Sequence, residues 1–244
     1  MKTVVIGDIH GRSSWKLIGY IENPDRVIFL GDYFDSHDIN PEEQVNNFLD
    51  IVEYKKSSGK EVVMLIGNHC VHYFPEIGNT GTSGYQSIAR YMIEPVIDAN
   101  REHLQMAYRF DDYLFTHAGV SQVYMDKVFG DLWGPDDIVD LLNEKFKYQP
   151  RYFLFGEMIP DEVYTDPYGD DQRQSPIWIR PRSLMKANAE LKYKVIQIVG
   201  HTQQNQIDIK GKSTGGRYYF IDTLGTSGEY LIIEDGEVKV GSIK

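Results

Sequence analysis

Aspartate, asparagine and histidine recur in this sequence at one kind of place, just after a short β-branched run that ends in glycine. Asp8 and His10 lie in Gly7-Asp8-Ile9-His10-Gly11, Asp32 and Asp35 in Gly31-Asp32-Tyr33-Phe34-Asp35, and Asn68 and His69 follow Gly67. His117 follows Tyr113-Leu114-Phe115-Thr116 and precedes Ala118-Gly119, and His201 stands in Gly200-His201-Thr202 after the run Val195 to Val199. Any one of these taken alone is most simply a turn or a structural histidine. Five such clusters in register are a different matter, because independent turns have no reason to share one residue chemistry. The donors are carboxylate and amide oxygens and imidazole nitrogens, with no thiolate, a set that suits borderline-hard divalent ions such as manganese, iron or zinc. One carboxylate shared between two ions would make the centre binuclear.

Such groups can converge only if several strands end at the same edge, and the first hundred residues have that pattern. Thr3 to Ile6, Arg26 to Leu30 and Glu61 to Ile66 each read as a buried strand stopped by glycine. Between the second and third strands a helix is announced by Asn40 as N-cap, Pro41 at the first helical position and Glu43, with Val45, Phe48, Leu49 and Val52 on one face and Gly59 closing it. Crossovers of this kind make a parallel α/β sheet, and ligands gather outside the carboxyl ends of its strands. A second helix is expected over 84–100, with Ile88, Met92, Ile93 and Val96 on its buried side and Pro95 kinking or ending it. From about residue 130 to 176 the character changes. A helix over Asp136 to Lys145 is followed by Tyr148, Tyr152, Phe153, Phe155, Tyr164 and Tyr168 among acids, glycines and prolines, as in an irregular insertion packed on or over a site. Strands return at Val195 to Val199, Gln206 to Ile209, Arg217 to Ile221, Tyr230 to Glu234 and Glu237 to Val240, the last two joined by an Asp235-Gly236 hairpin turn.

Taken together and in this order, the five motifs resemble those of the calcineurin-like metallophosphoesterases, and within them the serine/threonine phosphoprotein phosphatase branch with its bacterial and phage relatives. The resemblance implies a two-layer β-sandwich flanked by helices, an α-β-β-α arrangement with two divalent metal ions at the strand ends, manganese first and iron, zinc or nickel as substitutes. By position, Asp8, His10 and Asp32 would hold one ion, and Asp32 as the bridge, Asn68, His117 and His201 the other. His69 would be the general acid, oriented by Asp35. Arg180 in Ile177-Trp178-Ile179-Arg180 resembles the Trp-x-Arg segment that supplies a phosphate-binding arginine in phage and bacterial members. The implied reaction is hydrolysis of a phosphate ester by a hydroxide bridging the two metals, with a phosphorylated small molecule, a nucleotide or a phosphoprotein as substrate. A cyclic or nucleotide phosphodiesterase, or a dinucleoside polyphosphate hydrolase, is the alternative. A non-catalytic metal-binding scaffold ranks below both, since such a protein should have lost ligands. A single domain over 1–244 is expected, with insertions at about 70–112 and 130–176 selecting the substrate.

The departures are local. Ser36-His37 stand where phosphoprotein phosphatases carry Arg-Gly, and Cys70 stands where they carry an acid. The lost arginine suggests more room for diesters at position 36, His37 reads as an exposed loop histidine, and Cys70 as a small buried hydrophobe. Composition narrows the remaining classes. With 25 Lys and Arg against 36 Asp and Glu, the formal net charge of −11 leaves no broad basic face for long nucleic acid. No apolar run approaches the ~20 residues of a membrane helix. The single cysteine permits no internal disulfide. A cytoplasmic protein is therefore expected.

Overall fold

The computed structural model describes residues 1–80, 84–130, 133–158, 170–187, 195–210 and 217–244; Tyr164 and Tyr168 lie outside them. Along the chain the elements are β1 (Lys2–Ile6), α1 (Trp15–Glu22), β2 (Arg26–Phe29), α2 (Pro41–Ser57), β3 (Glu61–Leu65), α3 (Asn68–Val71), α4 (Arg90–Ala99), β4 (Leu104–Gln105), β5 (Ala107–Phe110), β6 (Tyr113–Thr116), α5 (Gln122–Phe129), α6 (Ile138–Tyr148), α7 (Pro181–Ala187), β7 (Ile196–Val199), β8 (Asp208–Lys210), β9 (Arg217–Phe220), β10 (Glu229–Glu234) and β11 (Glu237–Ser242). Two sheets result, ordered β11-β10-β1-β2-β3-β4 and β5-β6-β7-β9-β8. The strands β1, β2, β3 and β4 run parallel, as do β6, β7 and β9, so the site-bearing strands of each sheet end at a common edge.

Alternation along the strands builds the layers. Val5, Ile28, Leu30, Val63 and Leu65 of the first sheet share a buried cluster with Phe115, Ile198, Tyr219 and Ile221 of the second, which is the sandwich interior. Their neighbours Val4, Ile6, Val27, Phe29, Val62 and Met64 point the other way and join a cluster with Trp15 and Ile18 of α1 and Val45, Phe48, Ile51 and Val52 of α2. Beyond the second sheet, Leu184 of α7 packs with Val199, Tyr218 and Phe220. The expected two-layer sandwich with helices on its outer faces is the architecture found. Among the described residues no helix is long and apolar enough to cross a membrane.

Helix α2 begins as its sequence requires: the Asn40 side chain accepts from the Glu43 N–H at 3.0 Å, Pro41 takes the first turn, and Lys55 and Lys56 occupy the last. Its buried stripe is Gln44, Val45, Phe48, Ile51 and Val52, so Leu49 lies on the rim at 39% exposure and not on the buried face. Helix α4 starts at Arg90, later than the pattern suggested, and buries Ile93 and Ile97, which leaves Ile88 and Met92 exposed. Pro95 sits within it without ending it, because the proline and the Tyr91 whose carbonyl it deprives of a donor are both exposed, where water can serve. The strands β4 and β5 and the helices α1 and α5, two to eight residues long, were not anticipated from the sequence. Phe48 is wholly buried, 5.2 Å from the rings of both Tyr33 and Phe34. Phe48→Ala is expected to destabilise the protein by about 3–5 kcal/mol and Leu49→Ala by less than about 1 kcal/mol in urea unfolding, and comparable losses would contradict this packing.

Candidate metal centre

The loops that leave β1, β2, β3, β6 and β7 meet at one edge of the sandwich. Asp8 and Asp32, both nearly inaccessible, place a carboxylate oxygen together with a ring nitrogen of the fully buried His117, all within 4.8 Å of one another. His10, Asp32 and His69 form a second such group, so Asp32 belongs to both. Their backbones are bent sharply. His10, Asp32, Asp35 and His201 have φ of +41°, +49°, +64° and +65°, a left-handed conformation that a non-glycine residue holds only when its surroundings impose it. Asp32 accepts from the His69 N–H at 2.8 Å, and Asp8 accepts from the His201 N–H at 2.9 Å. Gly67 passes so close that a Cβ there would lie 2.1 Å from Asp32 Oδ1.

Tautomers follow from the backbone. Nδ1 of His10 donates to Phe34 O at 2.6 Å, Nδ1 of His117 to Leu30 O at 2.8 Å, and Nε2 of His201 to Trp178 O at 3.2 Å. In each neutral ring the other nitrogen is then a bare lone pair, and all three point inward. His117 Nε2 faces Asn68 Oδ1 at 2.9 Å and Asp32 Oδ2 at 3.2 Å; His201 Nδ1 faces the same Asn68 oxygen at 2.8 Å; His10 Nε2 faces Asp32 Oδ2 at 3.9 Å. At the Asp32 carboxylate acceptor thus confronts acceptor, which a cation or a proton between them makes favourable, and Asn68 offers its amide oxygen to the same space. The donor set fits divalent metal on this ground.

The titration of the groups points the same way. Burial pushes Asp8 up to about 6, against the pull of His117. Burial would also raise Asp32, but the charges of His117 and His69 hold it below the usual carboxylate range. Burial would lower His117, yet Asp32 and Asp8 raise it to about 9, while burial and the neighbouring charges of His117 and Arg180 drive His201 well down. One proton on His117 therefore does what a metal ion can do, and the two compete.

Beside this cluster, His69 Nδ1 lies 3.0 Å from Asp35 Oδ2, so the expected pair is formed. Burial lowers His69, but Asp32 and Asp35 together raise it above its ordinary value. Arg180 reaches the same edge, with Nη1 3.2 Å from Thr202 Oγ1 next to His201. Three residues here were not anticipated. His72 and Tyr73 both donate to Asp35. Asp222, just past β9, is pushed up to about 8 by burial and by the charge of Asp8. Asp222 follows its strand as Asp8 follows β1, a signal the sequence does carry.

The three departures also resolve. Ser36 is buried and its Oγ accepts from the N–H groups of Asp38 and Ile39, so the side chain braces its own loop. His37 is exposed. Cys70 is fully buried, and burial raises its thiol far above the range in which a thiolate forms.

A two-sheet sandwich with imidazole, carboxylate and amide donors at its strand ends is the architecture of a metal-dependent hydrolase. The chain belongs to the calcineurin-like phosphoesterase family, whose model matches residues 1–205, and it is accordingly a hydrolase of phosphate esters. Its fold is similar to that of a cold-active protein-tyrosine phosphatase from a Shewanella species, with a TM-score of 0.61 at 16% identity over 99% of this chain and 77% of that one. It is also similar to that of a protein serine/threonine phosphatase from Saccharomyces cerevisiae, with a TM-score of 0.51 at 14% identity over 100% of this chain and 80% of the other. At these identities the likeness is one of fold. No curated protein matches the chain.

Gly67→Ala bears directly on Asp32, since φ at 67 is an ordinary −103° but a Cβ there would stand 2.1 Å from the Asp32 carboxylate oxygen and 2.7 Å from its backbone nitrogen. The added methyl must displace Asp32, carboxylate and backbone together, and metal affinity is expected to fall roughly 10- to 100-fold or more in manganese titrations, with the fold followed by circular dichroism. Unchanged affinity would mean that Asp32 is not a ligand.

Proposed function

We propose that this protein is a binuclear metal-dependent phosphatase of the phosphoprotein phosphatase type. The observation that carries the reading is the set of inward ring nitrogens of His10, His117 and His201, fastened from behind by backbone carbonyls and aimed at Asp32 and Asn68. Asp8, His10 and Asp32 would hold one ion; Asp32, Asn68, His117 and His201 would hold the other. Manganese is the proposed metal, from a donor set without thiolate. Bound ions would supply positive charge at the phosphoryl oxygens and a water whose pKa drops from 15.7 to about 7.

The chain's own groups do the rest. Asp35 holds His69 by Nδ1, which leaves Nε2 to carry the proton that the leaving alkoxide takes. Arg180 contributes a charged donor for a phosphoryl oxygen, worth roughly 1.5–3 kcal/mol in transition-state binding. Substrate choice falls to the segments 70–112 and 130–176 of what we take as a single domain. The second reaches the site through rings: Phe155 lies 5.0 Å from Trp178, and Trp178 5.8 Å from His201. A phosphorylated protein or small molecule is the proposed substrate class. Cytoplasmic residence belongs to the same proposal and rests on the lone cysteine.

Chelation should abolish hydrolysis of nitrophenyl phosphate and manganese should restore it; turnover by the metal-free protein would end the metal reading. His117→Ala and His201→Ala are expected to lower metal content together with rate. His69→Asn separates acid from ligand, since it should keep the metal, lose roughly 10²- to 10⁴-fold on alkyl phosphates and lose less on nitrophenyl phosphate. Loss of metal would make His69 a ligand, and equal loss on both esters would remove it from the acid role. Rates on phosphopeptides, nucleotides, dinucleoside polyphosphates and bis-aryl phosphodiesters then decide the substrate, and a preference for diesters or pyrophosphate linkages would overturn the phosphatase assignment.

A further inference from the structure

His69 is not the sole imidazole on Asp35. The Nε2 of His72 donates to the same oxygen, Oδ2, at 2.8 Å, while the Tyr73 hydroxyl donates to Oδ1. His72 is 1% exposed, and its Nδ1 is buried with no hydrogen-bond partner among the described residues. A residue placed there to fill space would not bring a bare buried nitrogen, because a leucine or phenylalanine would pack without that loss. Among the described residues, the one polar contact of this ring is with Asp35.

The surroundings hold it in turn. Tyr85 packs against His72 and Tyr73, with ring centroids 5.0 and 5.4 Å away. Gln86 donates from its backbone N–H to the Tyr73 hydroxyl at 3.1 Å and from its side chain to Ser36 O at 2.8 Å. Gly84, at φ +90°, lies over the acid itself, where a Cβ would stand 2.2 Å from His69 Cε1. An aspartate held by a single histidine can turn about its terminal torsion and exchange oxygens. Asp35 has both oxygens engaged from different directions, so the line along which it fixes His69 is set.

We propose that His72 is a positioning residue for catalysis, acting with Tyr73 to lock the Asp35 carboxylate so that His69 presents its proton to the leaving group in one orientation. The inference rests on His69 being the general acid. A misaligned acid penalises esters in proportion to their need for protonation, which a merely structural defect does not.

The experiment measures kcat on an alkyl phosphate and on nitrophenyl phosphate, with metal content, for wild type, His72→Leu, His72→Gln, Tyr73→Phe and His69→Asn. For His72→Leu the ratio of alkyl to nitrophenyl kcat is expected to fall roughly tenfold, a fraction of the acid's contribution, with KM and metal content retained. Gln keeps an N–H where His72 Nε2 stands and should restore most of the ratio. An unchanged ratio in His72→Leu, or a glutamine variant as poor as the leucine one, would overturn the proposal. Should His72→Leu fail to fold, Tyr73→Phe removes a single hydroxyl and must lower the same ratio; no change there has the same overturning force. His69→Asn keeps the two readings apart: if it lowers both substrates equally, the general-acid assignment itself is wrong, whereas a selective loss with a silent His72 condemns the positioning role alone.

Discussion

Oxygen and nitrogen lone pairs facing one another in a buried space are the constraint on which this structure turns. Asp32, 1% exposed, stands against His117 and His10, and Asn68 presents one amide oxygen to both His117 and His201. Left to themselves, such groups would rotate away or draw in water. They stay because each is fastened from behind, the rings by carbonyls of Phe34, Leu30 and Trp178, the carboxylates by the N–H groups of His69 and His201. Behind those fastenings lies the sandwich interior, whose close packing leaves the strand ends little freedom. The left-handed backbone at His10, Asp32, Asp35 and His201 is the local strain that this rigidity sustains.

The nature of the fastening separates two kinds of histidine within one small region. A neutral carbonyl behind an imidazole fixes which ring nitrogen donates to it, as at His10, His117 and His201, and turns the opposite nitrogen toward the cluster. An ionised carboxylate behind an imidazole favours the protonated ring, and at His69 Asp35 adds in this way to the pull of Asp32 against burial. Burial would raise Asp35 too, but hydrogen bonds from His69, His72 and Tyr73 hold it below its ordinary range and keep it ionised. What sets His69 apart from its neighbours is the carboxylate of Asp35 behind its Nδ1, although donor positions alone would group it with His10 and Asp32.

The site is also where separate parts of the chain become one object. Tyr85 and Gln86 brace the Asp35 network, and Phe155 leans on Trp178, which covers His201. These contacts come from the two stretches whose sequence offers the least regular pattern.

Most of the donor set was legible because it is written locally. A β-branched run, a glycine and then an acid, amide or histidine specify a strand end and its chemistry within a few residues, and Asn40-Pro41 specified a helix start in the same way. The parallel order of β1, β2 and β3 followed from the crossover helix. What the sequence could not show depends on partners far away along the chain. The pairing of β10 against β1 joins the two ends of the chain, Lys2 opposite Glu234. Asp222 meets Asp8 only because β9 lies beside β7. His72 follows His69 on a helix of four residues, too short for any periodicity to reveal, and its bond to Asp35 spans 37 residues. Leu49 and Met92 are exposed because the rotational phase of a helix is chosen by the surface it packs on, and Ile88 is exposed because the helix starts only at Arg90. Local backbone chemistry thus determined which groups exist at the strand ends, and long-range packing decided which of them face one another, since the free energy of bringing loops together belongs to the whole sandwich and to no single segment.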